Sequence, residues 1–168
     1  ARVHLGLQPA PRLLFLVRFV FRALRSAVGR YDCIDISTSG EFSSRSSDHA
    51  ASPPSIEALA RAAASKLDGS KRSVLLMSDG PDDLRASAAA KYFEGRAVWM
   101  DDYVSRWLVT DYDVRGSNRT SARALVELLV CAKAERFVGN IFAPSTHAIC
   151  HQRHASRKAS PLKSNRMG

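Results

Sequence analysis

The chain has 168 residues and a mass of 18.4 kDa, which fits one domain that is long enough to bury a core. Its hydrophobic fraction of 45% and charged fraction of 24% are typical of globular proteins and exclude a broadly disordered chain. The net charge of +9 is uneven, because residues 151–168 contain five Lys or Arg and no acid. We assign residues 1–153 to the domain and residues 154–168 to a basic, flexible tail, which is more often solvated than bound to nucleic acid or membrane.

The first predicted element is an amphipathic helix over residues 11–28. Apolar residues recur there at helical spacing, and Arg18, Arg22 and Arg25 share the opposite face. These charges interrupt every apolar run well below the ~18 residues of a membrane span, so we predict no transmembrane segment. A basic amphipathic helix could lie on a membrane surface, but packing against a sheet is the more common use.

The remaining elements alternate between strands and helices. Short apolar runs predict strands at residues 31–36, 73–77, 97–100 and 136–138. Helical periodicity and caps predict helices at residues 55–67, 82–93, 121–132 and 144 to about 153. Residues 43–54 are a serine-rich loop, and residues 101–118 are predicted to be mostly loop. The alternation predicts an α/β fold, a Rossmann-like parallel sheet with helices on both faces.

Polar residues follow each predicted strand, and ligands of parallel sheets bind beyond these carboxyl ends. The connections are residues 37–41, residues 78–79, the loop after Met100 and residues 139–140. Gly139 permits close approach of backbone to a ligand or a positive φ, and Asn140 offers a donor and an acceptor. Ser145 and Thr146 begin the next helix, where hydroxyl and backbone N–H groups could hold a phosphate. A plain turn with an N-cap explains this pattern equally well.

The cysteines and histidines show no metal or redox motif. The three cysteines have no C-x-x-C spacing, and Cys33 and Cys131 are predicted to be buried thiols because they lie in apolar runs. His147 and His151 are four residues apart but lack a third ligand, so we expect a surface pair and no metal. Asn118 begins a glycosylation sequon, which would suit a secretory location.

Four segments together resemble the GDP-fucose protein O-fucosyltransferases. The most specific is A-E-R-F-V-G-N-I-F-A-P-S-T at residues 134–146, which is similar to the A-D-x-F-I-G-N-x-x-S-S-F-S/T motif of that family. Residues 33–42, 73–79 and 91–99 resemble further family segments in the same order. The resemblance implies a single lobe of a GT-B fold, the C-terminal lobe that binds the nucleotide sugar, with an N-terminal lobe missing from this chain.

The resemblance also implies which residues bind the donor, GDP-fucose, without a metal or other cofactor. Glu127 matches an acid near the base and ribose, and Ser78 and Asp79 match a Thr-Asp turn. Gly139 and Asn140 match the family's Gly-Asn pair, followed by Ser145 and Thr146. The implied location is the endoplasmic reticulum or Golgi lumen, and the implied acceptor is a Ser or Thr hydroxyl of a protein.

The sequence departs from the family pattern at two places. Ala143 and Pro144 stand at the serine pair, and Asp35 replaces a histidine. Ser37 stands at the arginine that holds the donor phosphates in this family, which removes five N–H donors and a full charge. With Ser37 at this position, the catalytic residue is unknown. We expect poor catalysis, because the leaving GDP dianion needs preorganised cations. The candidate substitutes are three arginines outside the motif: Arg45, Arg115 and Arg119.

Three hypotheses follow for function. The first is a donor-binding lobe that transfers fucose from GDP-fucose to a protein. The second is a degenerate, non-catalytic domain of the same fold that binds nucleotide sugars. The third is a basic module that binds RNA or anionic lipid through the arginine face of the first helix and the tail, for which no specific nucleic-acid motif is present.

Overall fold

The computed structural model describes residues 11–38, 54–78, 82–104, 118–141 and 143–159. The helices are α1 (Pro11–Val28), α2 (Ile56–Lys66), α3 (Asp82–Tyr92), α4 (Asp101–Val104), α5 (Asn118–Cys131) and α6 (Pro144–Ala159). The strands are β1 (Tyr31–Asp35), β2 (Ser73–Met77), β3 (Ala97–Val98) and β4 (Phe137–Gly139).

The four strands form one parallel sheet in the order β3-β2-β1-β4. Strand β1 lies between β2 and β4, and its Ile34 is level with Leu76 on one side and Val138 on the other. All five residues of β1 are buried, as expected of a strand that is covered on both faces. The predicted α/β fold with a Rossmann-like parallel sheet is confirmed.

Two apolar cores lie on opposite faces of the sheet because side chains alternate along each strand. Tyr31 and Cys33 of β1 point to the core that contains α1, α5 and α6. Ile34 and Ile36 point to the core that contains α2 and α3. Ser55 is the N-cap of α2 and accepts a hydrogen bond from the Ala58 N–H at 3.1 Å, which fixes where that helix begins.

Helix α1 uses its apolar stripe to pack on the sheet. Its buried side chains are Leu13, Leu16, Val17, Val20 and Leu24, while Arg18, Arg22 and Arg25 are exposed. The stripe is therefore covered by the protein's own core, as predicted from its spacing. In the described ranges, none of the helices combines the length and the apolar character needed to cross a membrane.

Several element boundaries differ from those predicted. The third strand has two residues instead of four, and a short helix, α4, forms at the start of the predicted loop. Helix α5 begins at Asn118, three residues before the predicted start. Helix α6 continues to Ala159, so residues 154–159 of the predicted tail are helical. The reason is that no Gly or Pro follows Pro144 until Pro161.

The predicted buried thiols are instead a disulfide bond. Cys33 and Cys131 are both fully buried and joined, with their Cα atoms 5.6 Å apart, a usual separation for disulfides. The prediction of free thiols was wrong because the two residues are 98 positions apart in sequence, and only the packing of α5 on β1 brings them together. Cys150 is free and exposed.

Candidate functional site

The candidate site lies where the connections of the sheet change direction. Strand β1 is connected through α2 to β2 on one side, whereas β4 lies on the other side of β1. In open α/β sheets the ligand crevice forms at such a switch point, beyond the carboxyl ends of the strands. The two ends that meet here are the residues after β1 and after β4, which include most of the predicted site residues.

Hydrogen bonds tie these two strand ends together. The Asn140 side-chain amide Nδ2 donates to the Ser37 carbonyl oxygen at 3.0 Å, and the Asn140 backbone N–H donates to the Asp35 carbonyl oxygen at 3.2 Å. Ser37 and Asn140 are each only 8% exposed, so both bonds are shielded from water. The predicted convergence of the β1 and β4 ends is therefore present in the structure.

The carboxylate of Asp35 lies at the N-terminus of helix α6. Its Oδ2 atom accepts hydrogen bonds from Ser145 Oγ at 2.5 Å and from Thr146 Oγ1 at 2.9 Å. Its Oδ1 atom accepts a hydrogen bond from the Ser37 N–H at 3.1 Å. The side chain is 2% exposed, and these three donors compensate for its burial. The negative charge favoured by the helix dipole at this N-terminus is thus supplied by the protein itself.

The sequence made Ser145 and Thr146 candidates for holding a phosphate of the nucleotide sugar, with a plain turn and an N-cap as the equal alternative. Each hydroxyl has a single O–H donor, and in this arrangement both donors are directed at Asp35. A phosphate at this helix N-terminus would have to displace the Asp35 carboxylate. Otherwise it would bind without a hydrogen bond from either hydroxyl. The arrangement favours a neutral group, or no group, at this point of the crevice.

Gly139 is required by the packing of helix α6. A Cβ atom added there would overlap with the Thr146 hydroxyl and lie 2.7 Å from Cζ of Phe137. The φ angle of Gly139 is not positive. Among the described residues, positive φ values occur at three other glycines: Gly29, Gly69 and Gly95. Of the explanations offered by the sequence, close approach applies, and the approaching group is a side chain of the protein.

The structure describes only some of the other predicted site residues. Ser78 is half-buried directly after β2, and Asp79 lies outside the described residues. Glu127 is half-buried on α5, one turn before Cys131. Arg119 belongs to the first turn of α5, while Arg45 and Arg115 are outside the described residues. Which of these groups contact a donor stays a prediction.

Among the residues that the structure describes, no three His, Cys, Asp or Glu side chains are grouped to hold a metal ion. His147 and His151 are both exposed, as expected of a surface pair. His147 donates from Nε2 to the carbonyl oxygen of Ile141 at 2.6 Å.

The function of Asp35 is the feature that the sequence did not reveal. In the sequence Asp35 was only the residue that replaces the family's histidine, and its bonds to Ser145 and Thr146 were not foreseen. A signal was present: an acid at the end of an apolar strand needs hydrogen-bond donors when it is buried. The only clue to the identity of these donors was that two hydroxyls begin a helix after another predicted strand.

Neither a comparison with protein-family models nor a comparison with curated proteins gives a match for this chain. The resemblance to the O-fucosyltransferases therefore depends on the four short segments and their order. The F-V-G-N turn, the most specific of them, occupies the switch point of the sheet.

Proposed function

We propose that this chain is a nucleotide-sugar-binding domain of the GT-B type that does not itself catalyse sugar transfer. The location of the F-V-G-N turn at the switch point supports a nucleotide-sugar crevice. We favour a non-catalytic domain over an active fucosyltransferase because Ser145 and Thr146 donate their hydrogen bonds to Asp35. The proposed ligand class is a guanine nucleotide sugar, with GDP-fucose as the candidate from the resemblance.

The charge in the crevice argues against turnover. Transfer of fucose from GDP-fucose leaves a GDP dianion, and an enzyme without a metal has to stabilise it with fixed cations. At this place the chain has a neutral residue, Ser37, and beside it the carboxylate of Asp35. A developing dianion would meet a buried negative charge there, so the transition state would be destabilised.

The disulfide bond is consistent with the location that the resemblance implies. Disulfides form and persist in oxidising compartments such as the secretory pathway. The bond between Cys33 and Cys131 joins the centre of the sheet to the end of α5. We propose that the domain works in such a compartment, where a protein acceptor and a second lobe would also be found if transfer occurs.

Calorimetric titration with guanosine, GDP and GDP-fucose tests the proposal. We expect weak binding of all three, with GDP no tighter than guanosine, because Asp35 offsets any gain from the phosphates. The variant Asp35→Asn keeps an oxygen acceptor for the hydroxyls and removes the charge. It should bind GDP about tenfold more tightly, a gain of about 1.4 kcal/mol, with guanosine unchanged.

The matched control is Asp68→Asn, which changes the net charge equally at an exposed position after α2, near the opposite edge of the sheet. This control should leave all three affinities unchanged. Absence of binding by any of the ligands at about 1 mM, which corresponds to about −4 kcal/mol, would rule out a nucleotide-sugar domain. Fucosyl transfer to a Ser or Thr peptide by the unmodified chain would overturn the non-catalytic assignment.

A further inference from the structure

A second concave site lies at the amino-terminal edge of the sheet, opposite the crevice. It has a volume of about 580 Å³ and is lined by Val28 and Arg30 around the end of α1, by residues 69–73 up to the first residue of β2, and by Arg136 before β4. None of its residues belongs to the proposed nucleotide-sugar site. We name it the basic pocket.

Four cationic side chains line the basic pocket: Arg30, Lys71, Arg72 and Arg136. They come from three separate connections of the chain, so their convergence is a property of the fold and could not be seen as a charge run in the sequence. Among the lining residues that the structure describes, there is no Asp or Glu. Val28 is the one apolar side chain in this described lining.

A buried carboxylate beneath the pocket organises these cations. Asp32 is fully buried, and its Oδ2 atom accepts a hydrogen bond from Ser70 Oγ at 2.6 Å. Its Oδ1 atom lies 3.3 Å from Nη1 of Arg72 and accepts a hydrogen bond from the Arg136 N–H at 3.2 Å. One acid thus fixes one guanidinium and two of the connections that form the pocket walls, and its own charge is balanced by Arg72.

Two of the four cations, Lys71 and Arg136, have no carboxylate partner among the described residues. Lys71 is exposed and has no hydrogen bond or ion pair with any residue that the structure describes. The guanidinium of Arg136 donates from Nη2 to the Lys66 carbonyl oxygen, which is a neutral acceptor. Arg30 lies 3.5 Å from Glu135, which also contacts Arg25, so that acid is shared. Guanidinium groups have five donors in a planar fork that matches the oxygens of phosphate groups.

We propose that the basic pocket binds a small anion with three or more phosphate groups, which excludes GDP and GDP-fucose. Several cations around an open concave surface suit clustered charges better than a single phosphate, because each group can then pair with a different cation. A nucleic-acid strand fits poorly, because no aromatic side chain of the described part of the chain lines the pocket to stack a base.

Calorimetric titration of the whole chain with inorganic tripolyphosphate tests this site, with sodium sulfate as a single-anion comparison. We expect saturable binding of tripolyphosphate, tighter than that of sulfate by at least about tenfold. The double variant Arg30→Gln/Lys71→Gln should weaken tripolyphosphate binding by at least about tenfold, since it removes two cations from the pocket. Both side chains are exposed, so the fold should survive, which circular dichroism checks.

The matched control is Arg18→Gln/Arg22→Gln, which removes the same charge from the exposed face of α1. It should change the affinity by less than about twofold, because the screened effect of distant charges is small. Equal losses in the two double variants, or no saturable binding at about 1 mM, would overturn the pocket. So would tighter binding of a single-stranded RNA oligonucleotide that is lost in the same variant. The loss caused by Arg30→Gln/Lys71→Gln should be the same when Asp35→Asn is added, which separates this site from the crevice.

Discussion

Two buried aspartates on strand β1 perform different tasks because they lie near opposite ends of the strand. Asp35, at the carboxyl end, accepts hydrogen bonds from Ser145 and Thr146 and supplies the negative charge at the N-terminus of α6. Asp32, near the amino end, pairs with Arg72 and orients the walls of the basic pocket. One edge of the sheet is therefore acidic and internally satisfied, while the other presents unpaired positive charge.

We predict that adding a single methyl group at Gly139 destabilises the fold. Gly139→Ala should lower the free energy of unfolding by about 1–3 kcal/mol, because the new Cβ overlaps with Thr146 and Phe137. Thr146→Ala removes the overlapping hydroxyl, so the double variant should be more stable than the sum of the single variants predicts, by about 1 kcal/mol. Urea unfolding of the four proteins measures this coupling.

Gly69→Ala is the control for this coupling. Gly69 has a φ of +74° and open space around a Cβ, so its substitution strains the backbone without touching Thr146. Its effect should add to that of Thr146→Ala. If Gly139→Ala is also additive with Thr146→Ala, the close contact with α6 does not explain the glycine.

At Tyr31 we predict a stability difference that depends on alkaline pH. Burial raises the pKa of this phenol well above its ordinary value, against the opposing charges of Arg25 and Arg153. Its hydroxyl donates to the Val130 carbonyl oxygen at 2.8 Å. Tyr31→Phe should therefore cost about 1 kcal/mol at pH 8, where the phenol is protonated in both the folded and the unfolded chain.

Above pH ~10 the phenol ionises in the unfolded chain but not in the folded protein, so the wild type loses stability that the Phe variant keeps. The difference between the two proteins should shrink by about 1 kcal/mol at pH 11. Urea unfolding at both pH values measures it. A constant difference would contradict the raised pKa, and Tyr103, which is present in both proteins, cancels in the comparison.

At the scale of elements, the long helices were predictable and the short elements were not. Helix α1 has the predicted bounds, and α2 begins at the predicted Ser55 cap, because both carry periodic apolar residues and clear end signals. Strand β3 and helix α4 are too short for a period to be read. Tertiary contacts position both elements. Strand β3 pairs with β2, and Met100, directly before α4, is buried in the core that contains α1.

Helix α6 is fastened to the rest of the molecule by Arg153, which the sequence had grouped with the basic residues of the C-terminal segment. Its guanidinium donates to the carbonyl oxygens of Ala132 at 3.2 Å, Ala134 at 2.6 Å and Glu135 at 3.1 Å, all in the turn between α5 and β4. We predict that Arg153→Met lowers the free energy of unfolding by about 2 kcal/mol, because charged donors to these carbonyls are lost while the apolar stem is kept.

The neighbouring exposed residue provides the control for this prediction. His154→Ala should change the stability by less than about 0.5 kcal/mol, since its side chain is exposed on the same helix. Chemical denaturation of both variants makes the comparison. If the two variants lose the same stability, the hydrogen bonds of Arg153 to the α5–β4 turn do not stabilise the fold.

At the scale of the whole molecule, the disulfide joins two elements that are far apart in sequence. We predict that Cys33→Ala/Cys131→Ala lowers the free energy of unfolding by about 2–5 kcal/mol, because the bond closes a long loop in the unfolded chain. Cys150→Ala, at the exposed free cysteine, should have little effect. Urea unfolding gives the energies. Thiol titration of the denatured wild type should find one free thiol before reduction and three after it.

The strand order decides which residues meet, and the sequence did not predict it. Alternating strands and helices predicted a parallel sheet, and the polar residues after each strand predicted one crevice at its carboxyl edge. The sequence did not show that β4 lies beside β1 and not beside β3. Because of that position, Asp35 and Ser37 face Asn140 and the start of α6, and the four cations of the basic pocket converge at the other edge.

The sequence by itself determined the α/β class, the main helices, the buried strands and the turn at Gly139 and Asn140. These follow from local periodicity, caps and turn residues, whose effects act over a few positions of the chain. Only the tertiary structure decided that Cys33 bonds Cys131, that Asp35 accepts from Ser145 and Thr146, and that Asp32 organises a basic pocket. The partners in each case come from different elements, and a buried cysteine or acid requires a partner without specifying where in the chain it lies.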